Sequence, residues 1–327
     1  MFDGKTILIT GGTGSFGRTF TKYLLDNFNP KKIIIFSRDE FKQHQMNMDF
    51  NDQRIRFFIG DVRDLSRLQR ALKGVDIVIH ASALKQVPAM EYNPFEAIKT
   101  NVLGSQNVIE AAIDQQVPKV LLISTDKAAH PINLYGATKL SAEKIFIASN
   151  SYAPKKTVFA AVRYGNVIGS RGSVIDLIKR GEFSSEAVKI TDPEMTRFWI
   201  TLRQACELVV FALENMEGGE IFVPKIPSMK IADMFKAVLP KAKQEVIGIR
   251  PGEKLHEALL TQDEARHSVE LEKYFVILPE FHFFSKDEDL YAKYYDSGKK
   301  LEPNFQYTSD KNHDWLTDEQ MKDLVKN

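Results

Sequence analysis

The chain has 327 residues, 43% of them hydrophobic, which is enough for one large or two modest cores and excludes a disordered chain. Its 44 Lys and Arg residues balance 43 Asp and Glu residues, and a net charge of +1 gives no general attraction for nucleic acid. The single cysteine, Cys206, excludes a disulfide within the chain, and its helical surroundings predict a buried apolar residue rather than a reactive thiol.

Short apolar runs alternate with amphipathic stretches over the first half of the chain. The runs are KTILIT, KIIIF, IRFFIG, DIVIH, KVLLIS and VFAAVRY, and the segments between them are long enough for helices. This alternation predicts a parallel sheet covered by helices on both faces. We therefore expect an α/β fold with a Rossmann-type doubly wound sheet in residues 1–175.

Residues 176–327 follow a different pattern and predict a smaller, mixed α/β domain that binds the substrate. LRQACELVVFALENM and MKIADMFKAVL have helical periodicity, whereas EIFVPK indicates a strand that could return to the first sheet. The two domains are therefore expected to be partly interleaved. Near the end of the chain, Thr317 is a candidate cap for a short helix.

The chain shows no pattern of membrane insertion or export. It begins without the basic and apolar regions of a signal peptide, and no apolar run approaches the length of a membrane span. We expect a soluble cytoplasmic protein with no membrane partner and no nucleic-acid partner.

A glycine-rich loop, GGTGSFG, follows the first predicted strand and opens a predicted helix. Glycines permit a tight turn and let backbone N–H groups approach a pyrophosphate, which the helix N-terminus also attracts. The flanking strand and helix make a dinucleotide site the favoured interpretation, and the glycine spacing is typical of short-chain dehydrogenase/reductase folds. The cofactor-binding residues predicted here are Gly11, Thr13, Gly14, Ser15, Phe16 and Gly17.

The end of the second strand predicts NADP rather than NAD. An NAD site places an acid at this strand tip for the ribose hydroxyls, but here the position falls on Ser37, followed by Arg38. A hydroxyl and a guanidinium suit a 2′-phosphate, with Lys42 as a second cation. The alternative is that Arg38 is merely solvated and Asp39 contacts the ribose. Further residues expected near the cofactor, after the third and fourth strands, are Asp61, Val62, Ala81 and Lys85.

Three Tyr-x-x-x-Lys pairs occur: Tyr135/Lys139, Tyr152/Lys156 and Tyr295/Lys299. Pro154 disfavours a helix through the second pair, and the third pair lies in a polar region without a preceding sheet. Only the first pair can lie on a helix after the fifth strand, with both side chains on one face. There the ammonium can lower the phenol's pKa and bind the nicotinamide ribose, so the tyrosine can act as base for a substrate hydroxyl.

Asp126 and Lys127 follow the fifth strand directly, after Thr125. Once hydride removal has made a ketone, the hydrogen on the neighbouring carbon is acidic, and a base with an acid could eliminate water across the next bond. The neutral pair contains the same number of protons as the ion pair, and burial penalises the charged form, so a dry site could bring the neutral amine within reach. Both side chains can serve one substrate only if the chain has left strand geometry.

The chain resembles a known family at several motifs. GGTGSFG, FSRDEFK, FFIGDVRD, LKQVPAMEYNPFEAIKTN, STDKAAHPINLYGATK, VRYGNVIGSRGSV, MTRFWIT, GGEIFVPKIPSMK and GIRPGEKLHE are similar to the inverting UDP-N-acetylglucosamine 4,6-dehydratases of pseudaminic acid biosynthesis. The likeness covers nearly the whole chain. It implies an extended short-chain dehydrogenase/reductase that holds NADP and converts UDP-N-acetylglucosamine to a 4-keto-6-deoxy sugar with inversion at C5.

The resemblance also implies roles for particular residues. Tyr135 with Lys139 would oxidise C4, Lys127 would remove the C5 proton, and Asp126 would protonate the departing C6 hydroxyl. Hydride then returns to C6, so the net redox change is zero. The family further implies a homo-oligomer, with a hexamer as one arrangement. The remaining residues that it implies are Thr125 and Asn166 at the sugar nucleotide, Val167 and Arg171 near the cofactor, and Arg250 and Glu253 at UDP.

Three alternative functions are weighed against this one. A UDP-sugar 4-epimerase shares the glycine loop and Tyr135/Lys139 but needs no acid-base pair over C5 and C6. Retaining 4,6-dehydratases resemble this chain but have Asp-Glu in place of Asp126-Lys127. A non-catalytic NADP-sensing protein would keep the glycine loop and lose the Tyr and Lys. No metal site is predicted, because the seven His residues lack ligand spacing, and His80 is expected to be a core histidine.

Overall fold

The computed structural model describes residues 1–153, 156–183, 187–281 and 288–326; Pro154, used above against the Tyr152/Lys156 pair, lies outside the described residues. The strands are β1 Thr6–Thr10, β2 Lys32–Ser37, β3 Ile55–Ile59, β4 Ile77–His80, β5 Lys119–Ile123, β6 Val158–Val162, β7 Asn166–Val167, β8 Ala187–Ile190, β9 Thr196–Ile200, β10 Ile221–Pro224, β11 Ser228–Lys230, β12 Lys243–Val246, β13 Ala258–Leu260, β14 Ser268–Glu270, β15 Tyr274–Ile277, β16 Lys299–Lys300 and β17 Tyr307–Thr308. The α-helices are α1 Ser15–Asn27, α2 Glu40–Phe50, α3 Leu65–Ala71, α4 Val87–Tyr92, α5 Pro94–Ala97, α6 Gly104–Asp114, α7 Leu134–Ser149, α8 Val174–Lys179, α9 Leu202–Asn215, α10 Ile231–Val238, α11 Gln262–Ala265, α12 Ala292–Ser297 and α13 Asp318–Lys326. Shorter helical turns are the π-helical Ile98–Leu103 and the 3₁₀ turns Asp126–Ala128 and Glu288–Tyr291.

A ten-stranded sheet forms the centre of the protein, in the order β16-β14-β15-β10-β6-β5-β4-β1-β2-β3. Strands β1 to β6 are parallel, and Ile9 of β1 is paired with Ile35 of β2 and Ile79 of β4. Every residue of β1 is buried, as expected for a strand covered on both faces. The six predicted strands and the Rossmann-type α/β fold are confirmed.

Strands from the second half of the chain extend this sheet. β10, which contains the EIFVPK segment, pairs in parallel with β6, so the predicted return strand is confirmed. β15 runs antiparallel to β10, and β14 and β16 continue the sheet beyond it. A second apolar cluster, which includes Ile175, Trp199 and Met234, lies outside the main core. The second half thus completes the sheet and also forms a core of its own.

Two details of the second half match the sequence-based expectations. The Thr317 hydroxyl accepts a hydrogen bond from the backbone N–H of Gln320 at 3.2 Å and so caps α13. Cys206 is fully buried in α9, and burial raises the pKa of its thiol to about 12. Among the described helices, none combines the length and apolarity that a bilayer crossing requires.

The loops after β1, β4 and β5 meet at one edge of the sheet. β1 lies between β2 and β4, where the strand order reverses. In doubly wound sheets this reversal opens a crevice at the carboxyl ends of the strands, and ligands bind there. The glycine loop, residues 81–85 and the Asp126–Ala128 turn all follow strands that end at this edge.

Candidate active site

The glycine loop fits a dinucleotide closely. Gly11 has a φ of +66°, and a Cβ placed on it would lie 3.1 Å from the Ala81 carbonyl. A Cβ on Gly17 would lie 2.5 Å from the Cα of Gly12, so only glycine lets the helix approach the loop. Among the described residues no side chain caps α1, and its first turn contains no acid. These uncapped N–H groups suit a pyrophosphate.

His80 is a core residue, as expected. Its Nδ1 lies 2.8 Å from the Thr10 hydroxyl and its Nε2 lies 3.0 Å from the Ser105 hydroxyl. The Thr10 oxygen already accepts the N–H groups of Ala81 and Ser82, so its own proton points to Nδ1, and His80 donates from Nε2. Burial, with the charge of Lys139, lowers the pKa of His80 to about 3. This neutral ring joins the ends of β1 and β4 beneath the glycine loop.

Three distant segments converge at the start of α1. Lys85 Nζ donates to the Arg171 carbonyl at 3.0 Å, and the Arg171 N–H donates to the Ser15 hydroxyl at 2.9 Å. Burial lowers the pKa of Lys85. Residues that the sequence placed near the cofactor are therefore neighbours, while their contact with a cofactor stays a prediction.

The tip of β2 is organised by hydrogen bonds that the sequence did not reveal. The buried Ser37 hydroxyl accepts a hydrogen bond from Gln43 Nε2 at 3.0 Å. Asp39 caps α2 by accepting from the Lys42 N–H at 3.0 Å and pairs with Lys42 Nζ at 2.7 Å. The hydrogen bonds from Lys42 lower the pKa of Asp39. The alternative role of Asp39 at the ribose stays a prediction, and in this structure its carboxylate is used as a helix cap.

Asp61 lies beside this tip. It is 3.8 Å from the guanidinium of Arg38, which is itself largely exposed, and 2.7 Å from that of Arg63. Burial opposes ionisation of Asp61, but its hydrogen bonds with Arg63 outweigh burial and lower its pKa. The next residue, Val62, is buried against Gly104. The predicted adenine region thus adjoins the predicted 2′-phosphate region.

The chain leaves strand geometry immediately after β5. Lys127 Nζ lies 3.0 Å from Asp126 Oδ1, a contact between neighbours that an extended strand would prevent. The Thr125 hydroxyl donates to the same oxygen at 2.9 Å. Asp126 is fully buried, and within the described part of the chain its Oδ2 has no hydrogen-bond partner. The expected departure from strand geometry is confirmed, and one carboxylate oxygen is left for another group.

Two carboxylates favour the charged, ammonium form of Lys127. Burial alone would lower its pKa, but the charges of Asp126 and Glu257 outweigh burial, and the pKa is raised above its ordinary value. These charges oppose the neutral amine expected from burial, and its formation in the reaction stays a prediction. The second carboxylate is Glu257, whose Oε1 lies 3.5 Å from Lys127 Nζ.

Tyr135 and Lys139 lie one turn apart on α7, as predicted. Burial raises the pKa of Tyr135, while the charge of Lys127 and a hydrogen bond with Thr125 lower it in part. Lys139 Nζ donates to the Ile123 carbonyl at 2.7 Å, and burial lowers its pKa to about 8. The expectation that Lys139 lowers the phenol's pKa is wrong here, because Lys127 is the cation that acts on the phenol.

The other two Tyr-x-x-x-Lys pairs lie away from this site. Tyr152, beyond the end of α7, is 57% exposed. Tyr295 is 46% exposed in α12, whereas Lys299 belongs to β16 and not to the same helix. The structure confirms that Tyr135 and Lys139 lie on one helix after the fifth strand. Their catalytic role stays a prediction.

Sequence reasoning missed three charged residues around the Asp126–Lys127 pair. Glu257 is 3% exposed, and its carboxylate lies 3.8 Å from Arg197 Nε and 3.6 Å from Lys254 Nζ. Lys254 also donates to the Ala129 carbonyl at 2.6 Å. All three belong to the MTRFWIT and GIRPGEKLHE motifs, but nothing in the sequence says which of their charges faces Lys127.

The remaining predicted residues surround this centre at greater distance. Arg250 is exposed in a turn in which its N–H donates to Glu253 Oε2 at 3.4 Å. Asn133 Nδ2 donates to the Gly252 carbonyl at 2.8 Å, so this turn packs on the start of α7. Asn166 and Val167 form β7 beside β9. Their contacts with UDP, sugar and cofactor stay predictions. Among the described residues, no cluster of three His, Cys, Asp or Glu side chains is suited to a metal ion.

Comparison with known proteins identifies the family. Residues 7–279 match the family model described as polysaccharide biosynthesis protein. The chain belongs to this family. A Campylobacter jejuni protein named UDP-N-acetylglucosamine 4,6-dehydratase (inverting) is 50% identical over 99% of this chain and 98% of its own length. A Rickettsia bellii protein named UDP-glucose 4-epimerase is 44% identical over 100% and 97%.

Two solved structures share the fold. Pen from Bacillus thuringiensis is 38% identical, with a TM-score of 0.89, and the match covers 100% of this chain and 98% of that one. DesIV, a dTDP-glucose 4,6-dehydratase from Streptomyces venezuelae solved with NAD and TYD, has a TM-score of 0.67 at 21% identity, over 76% and 86%. The second likeness shows the fold alone.

Proposed function

We propose that this protein is an inverting UDP-N-acetylglucosamine 4,6-dehydratase. The observation that carries the proposal is the contact of the buried Asp126 carboxylate with Lys127, 3.0 Å apart, beside Thr125 and Tyr135. A base and an acid at this place are what an elimination needs and what a simple oxidation does not. The half-identical Campylobacter relative of that name supports the assignment.

The chain's own residues fit a nicotinamide dinucleotide, and we propose NADP. When bound, the nicotinamide would accept hydride from C4 of the sugar and return it to C6. The glycine cradle and the uncapped α1 N-terminus would hold the pyrophosphate. Arg38, exposed beside the buried Ser37, supports a 2′-phosphate, because Asp39 is occupied as a helix cap. The Lys139 ammonium would bind the nicotinamide ribose.

Tyr135 would take the proton of the C4 hydroxyl as hydride leaves C4. Burial raises the pKa of this phenol, so the reactive phenolate depends on nearby cations, and Lys127 is the one in place. The Tyr135 phenol lies close enough to Thr125 and Lys127 for both to lower its pKa, which puts it beside the Asp126–Lys127 pair. Oxidation at C4 and elimination across C5 and C6 can therefore share one binding position for the hexose.

Asp126 and Lys127 would carry the elimination through one internal proton transfer. A proton that passes from Lys127 Nζ to Asp126 creates the neutral amine and the carboxylic acid together. The amine then removes the C5 proton, and the acid protonates the C6 hydroxyl, which leaves as water when the C6–O bond breaks. The buried Oδ2 of Asp126, which has no hydrogen-bond partner among the described residues, supports the acid role, since it can hold the transferred proton.

A UDP-sugar 4-epimerase is the second candidate, favoured by the 44% identity to the Rickettsia protein. An epimerase would use Tyr135 and Lys139 but would leave the C5–H and C6–O bonds intact. The buried charge of Asp126 beside Lys127 would then have no chemical use. A retaining dehydratase and a non-catalytic NADP-binding protein are the other outcomes of the test.

The deciding experiment is incubation of the protein with UDP-N-acetylglucosamine in deuterated water, followed by NMR of the product. We expect a 4-keto-6-deoxy sugar with deuterium at C5 and inverted C5 configuration. Retained configuration would indicate the retaining reaction, and a 4-epimer that keeps its 6-hydroxyl would indicate the epimerase. If cofactor is bound but no product forms, the result would indicate a non-catalytic NADP-binding protein.

Variants of the pair separate its two roles. Lys127→Ala should abolish product while NADP stays bound, and unchanged turnover would remove Lys127 from the elimination. Asp126→Asn should slow loss of the C6 hydroxyl, and a wild-type rate would assign the acid to another residue.

Cofactor preference is tested at the tip of β2. Ser37→Asp combined with Arg38→Ala should weaken NADP binding relative to NAD, because it replaces a cation with an acid that suits ribose hydroxyls. Titration calorimetry with both dinucleotides gives the ratio. An unchanged ratio would contradict the proposed 2′-phosphate site.

We also propose the wider setting implied by the resemblance: a cytoplasmic homo-oligomer in pseudaminic acid biosynthesis, with a cofactor domain in residues 1–175 and a substrate domain in residues 176–327. Large apolar side chains on the α4–α6 segment support self-association, because Tyr92, Phe95 and Leu103 are 87%, 74% and 46% exposed. Light scattering of the purified protein tests the oligomer, and a monomer at all concentrations would contradict it.

A further inference from the structure

Glu257 stands out among the buried charges of the candidate site. It is 3% exposed, and its Oε1 lies 3.5 Å from Lys127 Nζ. The same amine also contacts Asp126. Among the described residues its Oε2 has no hydrogen-bond partner within the usual distance, and the nearest cation is Lys254 at 3.6 Å. A carboxylate buried in this way is retained only where its charge is compensated.

The geometry of the amine gives this carboxylate a use. An ammonium has three N–H groups, and here Lys127 donates one to Asp126 Oδ1 at 3.0 Å, while Glu257 Oε1 lies 3.5 Å from Nζ, close enough to attract a second. The third direction remains for substrate. When Lys127 gives one proton to Asp126, the lone pair that is left first faces Asp126. Rotation about the Cε–Nζ bond then turns the lone pair to the free direction, where the C5 hydrogen would lie, and leaves the two remaining N–H groups directed to the two carboxyl groups.

We propose that Glu257 is a positioning residue for the dehydration, which fixes the orientation of the Lys127 amine and holds its proton until substrate is bound. This inference rests on the proposed function and adds a residue from the second half of the chain to it. Glu257 need not touch the sugar. Its effect passes through Lys127 alone.

The groups that face Lys127 come from several elements. Asp126 and Tyr135 flank it from the β5 turn and α7, Arg197 faces it from β9, and Lys85 faces it from the loop after β4. Asp126 and Glu257 favour the charged amine, whereas Arg197 disfavours it. Removal of the Glu257 charge alone should therefore lower the pKa of Lys127, by about one to three units for a charge at this distance.

The first experiment measures the amine directly. Protein labelled with ¹³C at lysine Cε is titrated by NMR, and the Lys127 signal is identified by its loss in Lys127→Arg. In the wild type we expect an ammonium that persists above pH ~10.4, the ordinary lysine value. In Glu257→Gln, which keeps an acceptor but removes the charge, we expect titration about one to three pH units lower. Glu194→Gln, at a surface ion pair with Lys230, is the matched control and should change nothing.

The second experiment measures orientation. Glu257→Leu removes charge and acceptor, so kcat for dehydration should fall about 100-fold while KM for the sugar nucleotide changes less than about threefold. Glu257→Asp keeps the charge but holds it one methylene further from the amine. We expect the pKa of Lys127 in this variant to return closer to its wild-type value than kcat does. If a variant does not fold, the wild-type titration still decides, because a Lys127 signal that titrates at or below pH ~10.4 overturns the proposal. An identical titration in wild type and Glu257→Gln overturns it as well. Wild-type protein that fails to dehydrate the substrate would instead refute the proposed function.

Discussion

Gly136→Ala tests whether close packing of α7 on the Asp126–Ala128 turn sets the geometry of the candidate site. Gly136 is buried in the first turn of α7, directly after Tyr135. A Cβ at this place would lie 2.1 Å from the Lys127 carbonyl oxygen and 3.0 Å from Pro131 Cβ. Backbone cannot rotate away as a flexible side chain can. The turn and the helix must therefore separate by about 1 Å before the contact is tolerable.

This displacement acts between the two halves of the proposed chemistry, because Asp126 and Lys127 lie on the turn and Tyr135 lies on the helix. A misplacement of about 1 Å between reacting groups costs on the order of 100-fold in rate. Overpacking costs about 1–3 kcal/mol, whereas alanine favours a helix over glycine by about 1 kcal/mol. Stability should therefore fall by at most about 2 kcal/mol, and activity should fall far more than folding.

The assay is kcat for dehydration of UDP-N-acetylglucosamine, with urea unfolding measured on the same preparations. Ser141→Ala, on an exposed position of α7, is the control for a substitution in this helix and should leave both quantities near wild type. A Gly136→Ala protein that keeps kcat within threefold of wild type would refute the reasoning. So would a structure in which the distances from Tyr135 to the Asp126–Lys127 pair are unchanged.

Two further predictions concern buried charge. Arg163→Met should lower the free energy of unfolding by about 3–5 kcal/mol in urea, because it leaves Glu143 and Glu264 buried without the guanidinium that bonds both; a loss below about 1 kcal/mol would contradict this. Burial opposes ionisation of Glu264, but Arg163 outweighs burial and lowers the carboxyl pKa to about 2. Wild-type stability should therefore decline as pH falls from about 4.5 to 2. The Arg163→Met variant should lack part of this pH dependence. Burial lowers the pKa of Lys139 to about 8 in the folded protein. Between pH 8 and 10.5 this lysine therefore binds a proton more readily in the unfolded chain than in the folded protein. Wild-type stability should rise across this window by about 3 kcal/mol as a result. Lys139→Met should lack that rise in pH-dependent thermal unfolding, and parallel curves for the two proteins would count against the low pKa.

The fold was predictable because its signals are local. Each of the first six strands is a short apolar run, and a parallel strand buried on both faces needs nothing more to be recognised. Tyr135 and Lys139 could be chosen from three similar pairs because a helix after a strand is also a local pattern. The Asp39 cap of α2 had a local signal too, an Asp directly before a helix, which was interpreted as a ligand-binding candidate instead.

The electrostatics of the site could not be predicted, because they depend on residues far apart in the chain. Glu257 raises the pKa of Lys127 from 130 positions away, and Arg197 opposes it from 70 positions away. The GIRPGEKLHE motif offers two glutamates four residues apart, and only the path of the backbone decides that Glu257 faces the amine while Glu253 stays in an exposed turn. The sequence therefore predicts the acid-base pair but does not reveal that a distant carboxylate raises the pKa of its lysine.

The candidate site depends on the second half of the chain at three points along one segment. Asn133 at the start of α7 donates a hydrogen bond to the Gly252 carbonyl, and Lys254 donates one to the carbonyl of Ala129, just after the Asp126–Ala128 turn. Arg163 connects α7 to α11 because it pairs with both Glu143 and Glu264. These contacts cross from the parallel sheet to residues 252–264, and Glu257 lies between them. Because each is a buried or partly buried hydrogen bond to backbone or charge, a shift of this segment breaks several at once. The orientation of the Lys127 amine therefore depends on how the two halves pack, and in the proposed mechanism so does the step that separates elimination from epimerisation.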